Sequence, residues 1–394
     1  MIGLAAIIIT FAVCFGSIPW TFGRLQDQST IRRYEAGEPR QARIPPSFWP
    51  KDAIALRRIV DASPEEEVRR AAQAVAEARS LTPAEVIASH DPDVLAAMVE
   101  RIGAAAPRFL LGSDALGRSL VTRLLAGGAI SLSVGLAAAF ISVLIGTLYG
   151  AAAGYAGGRT DAFMMRIVDV LYGLPYLLLV VLIAVAADGA IDRWQRHAIE
   201  RSAEQRSAWV EAQLAQLDAP SPEDRERLGN EAMARFGTGE LSGPQRTRID
   251  VIALLVAIGG VSWLTMARVI RGQVLSLKAQ PFVESARAIG APVHWIFLRH
   301  LLPNLLGPII VYATLTVPQA ILQESFLSFL GIGIKPPLPS WGNLAAEGLS
   351  ELNRHRSHWW LLFFPCLMLG TTLLALNFVG EGLREAFDPR RERK

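Results

Sequence analysis

Six apolar stretches, each close to the ~20 residues a helix needs to cross a hydrocarbon core, are spread along this chain. They fall at 2–22, 130–153, 167–187, 251–266 (extending toward 270), 305–322 and 359–379. The 394 residues are 51% hydrophobic and 19% charged, with a mean hydropathy of +0.31, which is more apolar and less charged than a soluble protein of this length. The apolar residues are also clumped, and clumping separates spanning helices from amphipathic core helices. The sequence therefore predicts an all-α membrane protein with six transmembrane helices and two enlarged polar external segments. A net charge of +3 fits basic loops on one membrane face. Nucleic acid is excluded as a partner, because no basic stripe interleaved with exposed aromatics occurs.

The spans differ in character. The first, 2–22, competes with a secretory signal, but it lacks both a charged lead and a small-x-small cleavage site, so a retained helix is expected. The second is rich in Gly, Ala and Ser, which let helices approach closely in lipid. The third contains Pro175, read either as a packing kink or as a pore-lining hinge. The fourth reads as the shortest and carries Gly259-Gly260; the fifth is interrupted by Pro308 and Pro318. The sixth opens on Trp359-Trp360, a pair suited to an interfacial aromatic belt. Cys14 and Cys366 both lie in apolar stretches and read as small buried thiols rather than a disulfide or metal pair.

The resulting plan is a first helix at 1–22, an external segment at 23–128, spans two and three at 129–187, an external helical insertion at 188–250, and spans four to six at 251–394 with an inner loop at 267–304. That inner loop carries Arg268, Arg271, Lys278, Arg287 and Arg299, the second-to-third loop carries Arg159 and Arg166, and the tail carries Arg384, Arg390, Arg391, Arg393 and Lys394. With six spans these share a side, which the positive-inside rule makes the cytoplasm, together with both termini. Within the first external segment, 64–80 reads as helical. Within the second, 194–217 reads as an exposed hairpin or long helix broken by Pro220 and Pro222. Either segment could cap the external mouth, meet a partner, or be solvated decoration.

The most informative polar segment is 281–304, PFVESARAIGAPVHWIFLRHLLPN. Pro281 can start a helix without wasting a donor. Glu284 falls in its first turn, at the positive end of the dipole. Ser285, Ala286 and Arg287 continue it, and Gly290 is placed to end it in the left-handed conformation. Pro292 suits the first turn of a second helix running toward Leu302 and Pro303. The product is a small knob joined directly to a span; periodicity alone would equally allow an interfacial amphipathic helix.

These residues carry a resemblance. Glu284-Ser285-Ala286, Gly290 and Leu302-Pro303 resemble the EAA loop of ABC-importer permeases, with Ser285 in the place of the middle alanine. RFLLGSDALGRSLVTRLLAGGAISL (108–132), GYAGGRTDAFMMRIVDV (154–170), ESFLSFLGIGIKPPLPSWGNLAAEG (324–348) and NFVGEGLREAFDPR (377–390) are similar to segments of dipeptide and oligopeptide permeases, in their second-permease or C-type subunit. The resemblance covers about 108–188 and 250–390. It implies the all-helical ABC importer permease fold in a bacterial inner membrane. It also implies an assembly with a second permease subunit, two ABC ATPase subunits and an external solute-binding protein. Glu284, Ser285, Ala286, Arg287, Gly290, Leu302 and Pro303 would couple to an ATPase. The 188–250 insertion, the enlarged first outer loop and the missing basic N-terminal lead depart from the pattern. Dipeptides, longer peptides, nickel chelates and some sugars remain open as cargo.

No cofactor is expected on this chain; the resemblance assigns ATP and Mg to the partner ATPases. Residues 240–246, ELSGPQR, look like an ABC signature, but no Gly-Lys phosphate loop exists and Pro244 removes an amide donor. The six histidines show no zinc-like spacing, and His355 and His358 read as a solvated loop. Asp169 lies within the third apolar stretch, where an ionisable group is a functional candidate, but pairing with Arg166 three residues earlier is the favoured reading. An intramembrane enzyme would need paired catalytic groups at bilayer depth, and a secondary transporter would need coupling-ion groups or an inverted repeat; neither pattern occurs.

Overall fold

A computed structural model describes residues 2–25, 31–217, 221–352 and 357–386. Among these residues every regular element is a helix, and the only β pairing consists of isolated bridges. In chain order the helices are α1 (Ile2–Gly16), α2 (Ile18–Thr21), α3 (Ala53–Asp61), α4 (Glu65–Arg79), α5 (Pro83–Ala88), α6 (Pro92–Ile102), α7 (Leu120–Ala156), α8 (Gly158–Tyr172), α9 (Tyr176–Leu214), α10 (Pro222–Phe236), α11 (Gly243–Lys278), α12 (Pro281–Ala288), α13 (Val293–Ile296), α14 (Leu302–Phe329), α15 (Trp341–Ser350) and α16 (Trp360–Ala386). Among the described residues five helical segments are long and apolar enough to cross a membrane, or six if the bent pair α8–α9 forms one span.

The bundle is organised around α7 and α11, which run in the same direction. Gly146, Gly150 and Gly154 recur every four residues on one face of α7 and meet Met266, Ala267 and Arg271 of α11 in order. Any side chain at Gly150 would collide with the Ala267 carbonyl, so the two backbones touch. In lipid, where apolar burial drives little, this close packing is what associates helices. α14 returns antiparallel, with Ile321 filling the space beside Gly135. α1 lies along α16: Gly3 sits against Phe378, and Cys14 sits against Gly128 and Trp341. The start of α1, the end of α16, the end of α11 and the start of α14 therefore share one face of the bundle.

Several elements differ from the sequence reading. The fourth span is not the shortest: α11 has 36 residues, because a capping box of Ser242 and Gln245 starts it far outside the apolar stretch. Pro308 and Pro318 do not interrupt the fifth span; α14 runs through both, as packed neighbours in a membrane bundle permit. Pro175 is not inside a helix. It is the residue before α9, and α8 and α9 meet there at 89°. A proline cannot donate to the preceding turn and pushes the residue before it out of helical conformation.

Both polar segments fold. Helices α3–α6 enclose a core of their own that includes Leu56, Ile59, Ala72, Val75, Leu95 and Met98. Asp52, Thr82 and Asp91 cap three of them. Arg43 joins this domain to the bundle through two bonds to Glu351, at 2.7 and 2.8 Å. α9 continues without a break from apolar sequence into the insertion, 39 residues in all, about 58 Å at helical rise. α10 packs antiparallel on it: Ser202 Oγ donates to Thr238 O at 2.8 Å, and the rings of Trp209 and Phe236 lie 6.4 Å apart. Arg246, from the signature-like heptapeptide, clamps the base of this hairpin by pairing with Asp188, Asp192 and Asp250 at 2.7–3.0 Å. Lys335 reaches the same Asp188 at 2.9 Å. Pro220, His355, Arg390, Arg391, Arg393 and Lys394 lie outside the described residues.

Candidate functional site

The knob at 281–304 takes its shape from a few local rules. Pro281 is the first residue of α12, with Glu284 exposed in its first turn. The helix ends in a Schellman motif: Ala291 N–H donates to Ala286 O at 3.1 Å and Gly290 N–H to Arg287 O at 2.9 Å. Gly290 has φ +77°, a left-handed value that costs a non-glycine residue about 1–2 kcal/mol. Pro292 caps α13 rather than entering its first turn. One turn of π-helix, Phe297–Leu301, then joins α13 to α14, with Leu302 and Pro303 opening the span. Such π turns are uncommon and gather at functional sites.

Burial divides the knob into two faces. Val283, Ala286, Ile296, Leu301 and Leu305 are buried in one cluster with Ala151, Met266, Ile270 and Val274 from the ends of α7 and α11. Ser285, in the place of the motif's alanine, is exposed, so its hydroxyl disturbs no packing; the buried position is Ala286. The opposite face shows Phe282, Ile289, Val293, Trp295 and Leu298 to solvent, with Ile289 81% exposed. An apolar patch this dense on a protruding element marks an interaction surface. His300 braces it, its ring 5.9 Å from Phe282 and 5.0 Å from Trp295. The Arg287 guanidinium lies over the ring of Tyr155 on α7 at 4.8 Å.

Beside the knob, α8 is tied to α11. Arg271 holds Asp161 by Nε–Oδ1 at 2.5 Å and Nη2–Oδ2 at 2.6 Å. Arg268 holds Asp169 at 2.8 Å while stacking on Tyr172 at 3.9 Å. The sequence reading paired Asp169 with Arg166. The interhelical partner wins because Tyr172, one turn along on the same face of α8, already positions the Arg268 guanidinium beside it. Lys278 Nζ donates to Gly154 O at 2.8 Å and closes the same corner. The knob thus rests on the C-terminal parts of α7 and α11, and the ion pairs tie α8 to the same end of α11.

The residues singled out in sequence are not gathered at one point. Glu284 to Gly290 form the knob, Leu302 and Pro303 its exit, Asp169 a tie from α8 to α11, and Pro175 the break above it. Three polar arrangements escaped the sequence reading. Just beyond the break, Tyr176 Oη lies 2.7 Å from Ser262 Oγ and donates to Gln323 Oε1 at 2.9 Å, linking α9, α11 and α14. Glu324 is fully buried and accepts from Ser328 Oγ at 2.7 Å. Arg123, also buried, bonds Asp114 at 2.8 Å and Glu347, joining the 112–118 turn to α15. A glutamate inside the apolar run AILQESFLSFL was a usable signal for Glu324; the other two arrangements are purely tertiary.

His358 is buried, not solvated, with Nε2 3.2 Å from Arg58 Nη1. Trp360 is buried and its indole points at Ser113 O, 3.4 Å away, so it does not face lipid as a belt residue. Cys14 is buried, but Cys366 lies exposed on the outside of α16.

Comparison with known proteins bears on this arrangement. Residues 146–393 match the family model described as binding-protein-dependent transport system inner membrane component. The chain is 39% identical over 279 residues to an oligopeptide transport system permease protein of Haemophilus influenzae, covering 71% of this chain and 70% of that one. It is 40% identical over 282 residues to a dipeptide transport system permease protein of Bacillus subtilis, covering 72% and 69%. It is 38% identical over 279 residues to the oligopeptide transport system permease protein of Escherichia coli K12, covering 71% and 72%.

Proposed function

Since this chain belongs to the family of binding-protein-dependent transport system inner membrane components, we propose that it forms one half of a peptide-conducting path driven by an ATPase bound at the 281–304 knob. It is a multi-pass inner-membrane permease, a transport subunit rather than an enzyme, and a component of a multi-subunit import system. Peptides are favoured as cargo because the curated relatives are permeases of oligopeptide and dipeptide systems. The partners are a second permease, two ABC ATPase subunits that bind ATP and Mg2+, and an external solute-binding protein. Both termini and the knob face the cytoplasm, as the cluster of Arg159, Arg166, Arg268, Arg271, Lys278, Arg287, Arg299 and Arg384 favours.

The observation that carries this reading is the two-faced knob: apolar side chains offered outward, and a buried face locked to the ends of α7 and α11. When the ATPases close, the exposed face of α12 is carried with its socket. Val283 and Ala286 transmit the displacement to α11, and the Arg271–Asp161 and Arg268–Asp169 pairs carry it to α8. Because α8 and α9 meet at a break, α8 can swing while α9 stays tied to its neighbours through Tyr176. That is alternating access by rigid-body motion.

Affinity purification of the full chain from its native membrane tests the proposal. An ABC ATPase should co-purify, and Ile289→Asp should release it while the permease remains in the membrane. Failure of any ATPase to accompany the wild-type chain, or ATP hydrolysis by the isolated chain, would overturn it.

A further inference from the structure

Between the bundle and the α3–α6 domain lies a short turn, 45–50, with the sequence PPSFWP. Phe48 and Trp49 at its tip are 59% and 46% exposed, which is unusual for large apolar side chains in an extramembrane loop. They are not isolated. Trp49 meets Trp359 at 4.7 Å, Phe48 meets Phe364 at 6.5 Å, and Trp359 meets Phe363 at 5.7 Å. Phe363, Leu367, Leu374 and Phe378 are all exposed along α16, and their spacing of four, seven and four places them on one helical face. Trp359 and the loop tip continue that stripe upward at the end of α16 remote from the knob. The exposed aromatics are therefore an extension of the face that α16 turns to its surroundings in the bilayer.

The backbone of the loop fits the same environment. Pro45, Pro46 and Pro50 have no amide hydrogen. Of the three amides left, Ser47 donates to Phe109 O at 2.9 Å and Trp49 to Pro46 O at 3.0 Å. With only the Phe48 amide left over, the turn carries few unpaired donors toward the apolar boundary, which lowers the cost of partial entry into lipid. Exposed Lys51 follows at once, long enough to leave its ammonium among phosphates while its stem lies on apolar surface.

We propose that residues 45–50 are an interfacial wedge whose partner is phospholipid, inserted at headgroup depth in the leaflet opposite the knob, and that this wedge seats the α3–α6 domain on the membrane. Aromatic side chains favour that depth. The proposal is independent of what the permease carries.

A nitroxide at Phe48→Cys, in a Cys366→Ser background and in phospholipid nanodiscs, tests it. Controls are Glu66→Cys on solvated α4 and Leu374→Cys on the exposed stripe of α16. The label at 48 should collide readily with oxygen and poorly with a water-soluble nickel chelate, between the two controls. Chelate access equal to that at 66 would place the loop in water and overturn the proposal. Exclusion of both reagents would place it against another protein and overturn it equally. Should the label disturb the turn, intrinsic fluorescence decides. Lipids brominated near the headgroup end of the acyl chain should quench the wild type more than Trp49→Phe, and equal quenching would again refute the wedge.

Discussion

Arg271 grips Asp161 with two parallel bonds, 2.5 and 2.6 Å long, across the junction of α11 and α8. Fork-to-carboxylate pairing of this kind is both strong and directional. It lies within two turns of the end of α11, where the knob begins, and the Asp161 side chain is almost buried. Removing one partner leaves the other short of solvent and unpaired. Asp161→Asn or Arg271→Lys should cost about 1–3 kcal/mol, less than a fully buried pair because Arg271 is partly exposed. Thermal unfolding in detergent should shift down for each variant. In a cycle built from the single variants Asp161→Arg and Arg271→Asp, the exchanged double variant should lose less than the sum of the two. Strict additivity of the two single losses would mean that the pair does not act as a unit.

Gly290→Val separates the knob from the bundle. The position needs φ +77°, and an added side chain meets no neighbour, so the penalty is conformational alone, about 1–2 kcal/mol. Strain of that size loosens the Schellman turn and swings Ile289 and Val293 relative to each other. The spans are untouched. Membrane insertion and protease pattern should match wild type while ATPase co-purification and transport fall. Gly290→Asn, which tolerates the left-handed region, should retain more activity than Val. Equal transport by all three proteins would show that the turn does not matter for coupling.

Gly150→Leu attacks the bundle instead. α7 and α11 are in backbone contact here, and no rotamer of leucine avoids the Ala267 carbonyl, because the collision is already at Cβ. Overpacking of this kind costs typically ~1–3 kcal/mol and more where backbone must move. The purified protein should aggregate or lose its sharp unfolding transition. Gly272→Ala, one face round α11 with open space beside it, is the control and should behave as wild type.

How much of this was legible in the sequence depended on whether the cause was local. α12 could be read because its start and its left-handed end are each encoded by one residue type, namely Pro281 and Gly290. The spans were legible from composition, but their ends were not. Ser242 and Gln245 extend α11 well past its apolar stretch, and Pro175 ends α8 outright, because capping and proline geometry outrank hydropathy at helix termini. Asp169 shows the limit: its i−3 neighbour Arg166 was visible in the sequence, whereas Arg268 is 99 positions away. The same holds for Tyr176, Ser262 and Gln323, which come together only once three helices have packed. The α3–α6 domain was half visible, as one charge-mixed helix, because its core is made of small contributions from four helices.

The attachment of that domain should respond to acidity. His358 is buried at the junction and close to Arg58; burial first, then that neighbouring positive charge, hold its pKa below the ordinary histidine value. Its Nε2 faces the Arg58 donor, which puts the ring proton on Nδ1, 3.1 Å from Glu351 Oε2 though off the line of a hydrogen bond. Glu351 in turn is held below the ordinary carboxylate value, chiefly by its hydrogen bonds from Arg43. Both shifts are depressions, so both contribute stability that is present above the ordinary value and lost as pH falls through the folded one. For His358 that loss begins below about 6.5, and for Glu351 below about 4.3. Protection of α3–α6 amides against hydrogen exchange should therefore be full at pH 7.5 and weaker at pH 5.5. His358→Gln, which cannot be protonated, should remove the upper part of this dependence and leave the lower. Protection that increases on acidification, or an unchanged profile in His358→Gln, would rule out a proton-sensitive junction.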